Sequence, residues 1–386
     1  MSVDIYQIML PVKVYFGVGS LDTLGDEASK LAVKRALIIT DPGVYKAGLV
    51  DPVKEQLSRA KLSVDVFSEA EPEPTLPRLN AIAEELRKDS YDLLVGVGGG
   101  SSIDTAKGLS VLLAHGGNAQ DYVGIDKVPK PGIPIFALPT TAGTGSEVTK
   151  NAIFGDPEQG LKLAIVSSYI LPLLALVDPT LTYGCPPKIT AACGIDAFVH
   201  ALECYTGNKA NTFSDALALE AVRLIVGSLR TVVKNGSDKE ARNHMSEGAL
   251  LAGITIATSG TAAVHALAYP LGSQFHVPHG VANGLLLPYV TEYNLSANLP
   301  KYAIVAKILG VETQGLSLQK AAEQGADTIK ALVADIGIPL HLRDLGVLKE
   351  ALEGMAVATM DVTRLLANNP KQLTLDDVRR IWENAW

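Results

Sequence analysis

VGVGGGSSIDTAKG, residues 95–108, decides the fold. An apolar run passes directly into three glycines, two serines and a helix-forming stretch. It reads as a buried strand, a tight turn and a helix. Gly98, Gly99 and Gly100 allow positive φ and close approach of a ligand to the backbone. Ser101 and Ser102 are placed to cap the helix with their hydroxyls. Unpaired N–H groups and the helix dipole at such a start favour a phosphate. A ligand-free strand-to-helix turn is the alternative reading. The spacing is neither G-x-G-x-x-G nor the P-loop pattern.

Outward from this turn, apolar runs alternate with helix-period segments. The runs lie at 12–16, 36–40, 62–67, 92–97, 133–139 and 174–178, with helical patterns at 49–60 and 76–88 between them. Near-continuous apolar strands of this kind predict a parallel sheet covered on both faces. NAIFG and LKLAIVSS flank the turn-like GDPEQG (155–160), which predicts a hairpin appended to that sheet. After TYGCPPK (182–188) the strand pattern stops. Helix-period segments then follow at 190–206, 212–235, 239–258, 262–275, 281–296, 317–335, 344–358 and 373–384. The expected organisation is an α/β nucleotide-binding domain over 1–184 and an all-helical domain over 185–386, with the Gly-Cys-Pro-Pro stretch as the boundary.

Composition narrows the function classes. In 386 residues, 47% hydrophobic content with 19% charged residues supplies ample core and excludes a disordered chain. The net charge of −8, with no Lys/Arg run, excludes the electrostatic footprint of a nucleic-acid binder. Three cysteines do not make a disulfide framework and favour a reducing compartment. The first residues lack the basic and apolar regions of a signal peptide. The apolar stretch 248–271 contains a histidine and several hydroxyl residues, so it reads as one or two buried helices. A cytoplasmic protein without a membrane partner is expected.

Several further groups carry chemistry. LPTTAGTGSEVTKN (138–151) sets Thr140, Thr141, Thr144 and Ser146 around glycines after an apolar strand, suited to a ribose, a pyrophosphate or an amide, or simply to a polar loop. Asp41 ends the run ALIITD, where a carboxylate accepts hydrogen bonds from ribose hydroxyls and repels a 2′-phosphate. A turn aspartate before Pro42 is the plainer alternative. In GIDAFVHALE (194–203), Asp196 and His200 are four apart and share a helix face. His265 and His279, in HALAYPLG and HVPHG, complete a set of three imidazoles and one carboxylate that suits iron, zinc or nickel.

GGGSSIDTAKG, PTTAGTGSEVT, GIDAFVHALE and HALAYPLGSQFHVPHGVANGLLLP occur in the order found in the iron-containing (group III) alcohol dehydrogenases. The chain resembles that family over essentially its whole length, and in particular the branch with lactaldehyde reductase and 1,3-propanediol dehydrogenase. The resemblance implies a Rossmann-like domain followed by an all-α domain, the dehydroquinate synthase-like architecture. It implies Asp196, His200, His265 and His279 as metal ligands, with Fe2+ expected and Zn2+ the alternative. It places Asp41, Gly98, Gly99, Ser101, Asp104, Thr140, Thr141, Thr144, Asn151 and Lys162 at an NAD cofactor, with NADP disfavoured by Asp41. The implied activity is hydride transfer between nicotinamide and a small alcohol or aldehyde bound to the metal, in a homodimer. Two positions depart from the family pattern. Tyr269 stands where many members carry a proton-relaying histidine, which leaves Tyr269 or His276 as the proton-handling group. Glu73, in PEPT, stands where many members carry asparagine near the adenosine. A metal- and NAD-dependent lyase of the dehydroquinate synthase type and a non-catalytic nucleotide-binding protein are the rival readings. The lyase requires a concentration of basic residues near the histidine motifs, which the helical half lacks.

Overall fold

A computed structural model describes residues 12–158 and 160–386, so the first eleven residues and Gln159 of the expected turn lie outside it. The chain divides into two compact units between Cys185 and Pro186.

The first unit contains strands β1 (Lys13–Phe16), β2 (Arg35–Ile39), β3 (Ser63–Phe67), β4 (Leu93–Gly98), β5 (Gly124–Ile125), β6 (Ile135–Pro139), β7 (Asn151–Asp156), β8 (Leu161–Val166) and β9 (Leu174–Val177). Its α-helices are α1 (Leu24–Ser29), α2 (Pro42–Lys46), α3 (Val50–Arg59), α4 (Leu76–Leu86) and α5 (Gly100–His115). Six strands form one parallel sheet in the order β1-β9-β6-β4-β2-β3. Successive side chains on a strand point to opposite faces. Leu37, Ile39 and Leu94 therefore pack with Leu79 and Ile82 of α4 and Ala106 and Leu109 of α5. Ala36, Ile38, Leu93, Val95 and Val97 pack on the other face with Val53 and Leu57 of α3. Burial on both faces is why these strands read as continuous apolar runs. At Gly96 a Cβ would lie 3.2 Å from the Ile103 Cα, so glycine lets α5 sit close against β4.

The hairpin forms, with Asn151 opposite Val166 and Asp156 opposite Leu161, but it does not extend the main sheet. With β5 it makes a separate three-stranded sheet in the order β5-β8-β7. Both edges of the main sheet are held by β1 and β3. The hairpin instead turns Ala152, Phe154 and Ile165 into the core built on α4 and α5.

The second unit is helical: α6 (Pro187–Thr206), α7 (Thr212–Lys234), α8 (Lys239–Ser259), α9 (Ala263–Phe275), α10 (His279–Asn294), α11 (Leu299–Ile308), α12 (Leu318–Asp335), α13 (Leu352–Met360), α14 (Thr363–Leu366) and α15 (Leu375–Ala385). Helix α11 falls where no helical segment was expected. Its Asn298 side chain accepts the Lys301 N–H and its proline sits in the first turn, a start signal that the apolar pattern hid. The single segment expected at 344–358 is instead two short 3-10 turns leading into α13. Stretch 248–271 is two helices, α8 and α9, bent by 103° at the break. Among the described residues no single helix is long and apolar enough to cross a membrane.

Helix α6 is buried along most of its length because small residues let its neighbours close in. A Cβ on Gly194 would lie 2.4 Å from Leu229 of α7 and 2.8 Å from Met245 of α8.

Candidate metal centre and nucleotide crevice

In the helical unit three helices converge on one carboxylate. Helix α6 presents Asp196 and His200 one turn apart, α9 presents His265 near its start, and α10 opens with His279 after the helix-starting Pro278. The Nε2 atoms of His200, His265 and His279 lie 3.9, 3.7 and 3.8 Å from the same oxygen, Asp196 Oδ1. The His200 and His265 rings stack at 4.7 Å, and the His265 and His279 rings are 5.4 Å apart. Donor atoms of Asp196, His265 and His279 all fall within 4.8 Å of one another, with His200 beside the trio. Burial opposes the charge on Asp196, but the His200, His279 and His265 imidazoles and the Asn283 amide outweigh it and hold the carboxyl at about 2.

The donors fit a divalent metal. Buried His265 Nε2 has no hydrogen-bond partner, although its ring is otherwise fixed. Metal–ligand bonds of about 2.1 Å put tetrahedral donors about 3.4 Å apart, close to the 3.7–3.9 Å between Asp196 Oδ1 and each histidine Nε2. Imidazole with carboxylate suits iron and zinc alike.

Two residues missed in the sequence complete this centre. Glu203, on α6 seven residues after Asp196, accepts hydrogen bonds from the Ala262 and Val264 N–H groups and lies 2.7 Å from His265 Nδ1. Asn283, one turn after His279, donates to Asp196 Oδ1 at 2.6 Å and to His279 Nε2 at 3.1 Å. The signal for both was helical spacing: seven and four residues keep a side chain on the face of the first ligand.

Of the two proton-handling candidates, Tyr269 lies one turn after His265 with its ring 6.5 Å from that of His279. Burial pushes its phenol above the ordinary tyrosine range. His276 ends α9 in the left-handed conformation (φ 54°) and is exposed. Eleven residues of helix separate it from His265, about 16 Å along the axis.

The α/β unit gathers the remaining residues at the carboxyl ends of β2, β4 and β6. Helices leaving β2 and β4 lie on opposite faces, so a crevice opens between these strands, the usual ligand position in such sheets. Asp41 and Ser102 meet across it, with Ser102 Oγ 3.4 Å from Asp41 Oδ2. Asp41 Oδ1 also caps α2 by accepting the Gly43 and Val44 N–H groups. The plain turn role and the crevice position are thus both real. Gly98 has φ 155°, and a Cβ there would lie 2.4 Å from Ser102 Oγ. Gly99 is the N-cap of α5, and a Cβ there would make ordinary contact with Thr141 at 3.4 Å. A Cβ on Gly100 would strike Thr144 at 2.8 Å.

The serines do not cap α5 as their sequence position suggested. No side chain caps this helix start. Ser101 Oγ accepts the Glu73 N–H, and Ser102 turns to Asp41. Both hydroxyls are drawn sideways by neighbouring loops, which leaves the start of α5 without a side-chain cap.

Asp104 faces the loop after β6. Its carboxylate accepts the Ser146 hydroxyl and the Ile153 N–H, and lies 3.7 Å from Lys107 Nζ. Fully buried Lys107 donates to Ser146, Thr149 and the Asn151 carbonyl. Together these two residues pin loop 140–151, with Thr140, Thr141 and Thr144, against α5. Burial lowers the Lys107 ammonium to about 8, and burial raises the neighbouring Glu147 carboxyl to about 7. Lys162 pairs with Glu73 at 2.9 Å. Glu73 adopts φ 54°, a left-handed conformation that asparagine takes more readily.

A family model described as iron-containing alcohol dehydrogenase matches residues 11–179, and one described as the Fe-containing alcohol dehydrogenase family, C-terminal, matches 190–386. The chain belongs to the iron-containing alcohol dehydrogenase family. Among curated relatives, the long-chain-alcohol dehydrogenase 1 of Geobacillus thermodenitrificans (strain NG80-2) is 41% identical over 99% of this chain and 97% of its own length. Among solved structures, a 1,3-propanediol oxidoreductase superposes with TM-score 0.96 at 38% identity, covering 99% of this chain and 100% of its own. The sulfoacetaldehyde reductase of Bifidobacterium kashiwanohense, solved with NAD+, superposes with TM-score 0.89 at 30% identity over 99% of each chain. The family resemblance of the four motifs is therefore correct, and so is the α/β-then-helical fold.

Proposed function

We propose that this iron-containing alcohol dehydrogenase interconverts a small alcohol and its aldehyde using NAD(H) and a divalent metal. The carrying observation is the buried Asp196 carboxylate with three imidazole Nε2 atoms within 3.9 Å of one of its oxygens. When bound, the metal supplies Lewis acidity toward a substrate oxygen, and the nicotinamide supplies or accepts the hydride.

The chain's own residues do the rest. Asp196, His200, His265 and His279 hold the metal. Fe2+ is the proposed ion, with Zn2+ compatible with the same donors. Asp41 supports NAD over NADP, because a carboxylate at the end of β2 opposes a 2′-phosphate. Gly98, Gly99, Ser101, Thr140, Thr141, Thr144, Asn151 and Lys162 border the proposed cofactor position. Tyr269 keeps its proton because burial raises its phenol, so its part is to donate a hydrogen bond to the substrate oxygen rather than to give up the proton. His276, exposed at the end of α9, is assigned no part. The relatives are named for long-chain alcohols, 1,3-propanediol and sulfoacetaldehyde, which share only an alcohol or aldehyde group. A homodimer is proposed through β1, an edge strand followed by exposed Val18.

The test is reconstitution. Metal-stripped protein is reloaded anaerobically with Fe2+ or Zn2+ and assayed for NADH oxidation over a panel of aldehydes, alongside His265→Ala. Metal-dependent turnover that the variant loses is the expected result. No turnover with either metal, despite NADH binding, would refute the proposal.

A further inference from the structure

Glu203 touches no donor of the metal set except through one bond, and that bond fixes the chemistry of His265. The carboxylate is 5% exposed. Oε1 accepts the Val264 N–H at 2.6 Å, and Oε2 accepts the Ala262 N–H at 2.8 Å. Oε2 also lies 2.7 Å from His265 Nδ1. A carboxylate offers only acceptors, so the proton in this last contact comes from the ring. A neutral imidazole carries one proton. With that proton on Nδ1, Nε2 keeps a bare lone pair, and Nε2 is the atom 3.7 Å from Asp196 Oδ1 that has no hydrogen-bond partner.

We infer that Glu203 is the positioning residue of the metal centre: it fixes the tautomer and the ring angle of His265 so that Nε2 arrives as a ready ligand. The assignment rests on the metal-centre reading of the cluster. Two features make the device rigid. Glu203 sits on the same helix face as Asp196 and His200, so one helix carries two ligands and the support of a third. It also ties the Ala262 and Val264 N–H groups at the start of α9, so the backbone that carries His265 and the ring itself answer to one carboxylate. Partners of this kind change metal affinity by 10- to 100-fold when removed.

The experiment has two arms. In the first, Co2+ affinity of wild type and Glu203→Gln is measured by competition with a chelator, well below each protein's melting temperature. A loss of about 10- to 100-fold in the folded variant is expected. A variant that melts earlier but binds Co2+ with unchanged affinity would show a helix cap alone and overturn the inference. In the second arm, nitrogen-15 imidazole spectra of metal-free wild type are recorded at pH 9, where ordinary imidazoles are neutral. The His265 signals are assigned with His265→Gln. In the neutral ring a proton on Nδ1 and none on Nε2 is expected, and a neutral ring protonated on Nε2 overturns the inference. This arm decides the matter if the Glu203 variant fails to fold. Wild-type protein that takes up no Co2+ would instead overturn the metal-centre reading, and this inference with it.

Discussion

Gly280→Ala tests whether helix packing sets the metal geometry. Gly280 follows His279 in the first turn of α10, directly against α6. A Cβ there would stand 2.1 Å from the Ala192 carbonyl oxygen, with the Ala192 carbonyl carbon at 2.6 Å. Ordinary contact begins at 3.4 Å, and backbone atoms are on the other side. The start of α10 must therefore retreat from α6 by about 1 Å, an overpacking change that costs about 1–3 kcal/mol. His279 moves with it, while Asp196 and His200 stay on α6. A ligand misplaced by about 1 Å costs roughly 100-fold in rate, so metal affinity and turnover should both fall sharply. Gly227→Ala in α7 and Gly354→Ala in α13 are the controls, since nothing lies within 4 Å of either added Cβ. These should raise stability by about 0.5–1 kcal/mol through helix propensity. Thermal midpoints, Co2+ affinity and kcat are measured for all three. A Gly280→Ala protein with wild-type affinity and turnover would refute the idea that close approach of α10 to α6 places His279.

Glu147 makes stability depend on pH. Its native carboxyl titrates at about 7 against an ordinary 4.5, so the native state holds a proton that the unfolded chain releases between those values. Its contribution is full below about pH 4.5 and is lost as pH rises to about 7, a swing on the order of 3 kcal/mol. Glu147→Gln should flatten the fall in melting midpoint between pH 5 and 8; an unchanged slope counts against it. Asp41→Ala removes a cap on two N–H groups and the carboxylate facing the crevice. It should cost about 0.5–2 kcal/mol and narrow the preference for NADH over NADPH, whereas Asp41→Asn should keep the cap and lose only the preference. Equal stability of both variants would deny the capping role. Tyr269→Phe should lower kcat by roughly 100-fold or more while leaving Co2+ affinity within a few-fold, as removal of a hydrogen-bond donor to a developing oxyanion does. Wild-type kcat would move that hydrogen bond elsewhere.

The α/β unit was legible because its information is local. Apolar strands, the triple glycine and turn prolines mark themselves within a few residues, so β2, β4, α3 and α4 fell close to their expected limits. The fate of the hairpin was not legible, because whether Phe154 joins a sheet edge or covers α4 and α5 depends on which edges distant strands have taken. The clustering of Asp196, His200, His265 and His279 was foreshadowed by Asp-x-x-x-His spacing and the Pro-His-Gly context, and by the resemblance of four motifs. Glu203 and Asn283 escaped because their role is visible only once α9 and α10 are brought to α6. Ser101 and Ser102 were misjudged for the same reason: their partners, Glu73 and Asp41, come from loops remote in sequence.

The unsatisfied Nε2 of His265 links folding of the helical unit to metal supply. A buried acceptor without a donor costs about 1–3 kcal/mol, which a bound cation removes. Anything that binds the native state alone stabilises it by mass action, about 4 kcal/mol at a thousandfold excess over its dissociation constant. A partly loaded preparation is then a mixture of two proteins with one sequence, melting at two temperatures. The ratio of their amplitudes would record the metal history of the sample as directly as elemental analysis does.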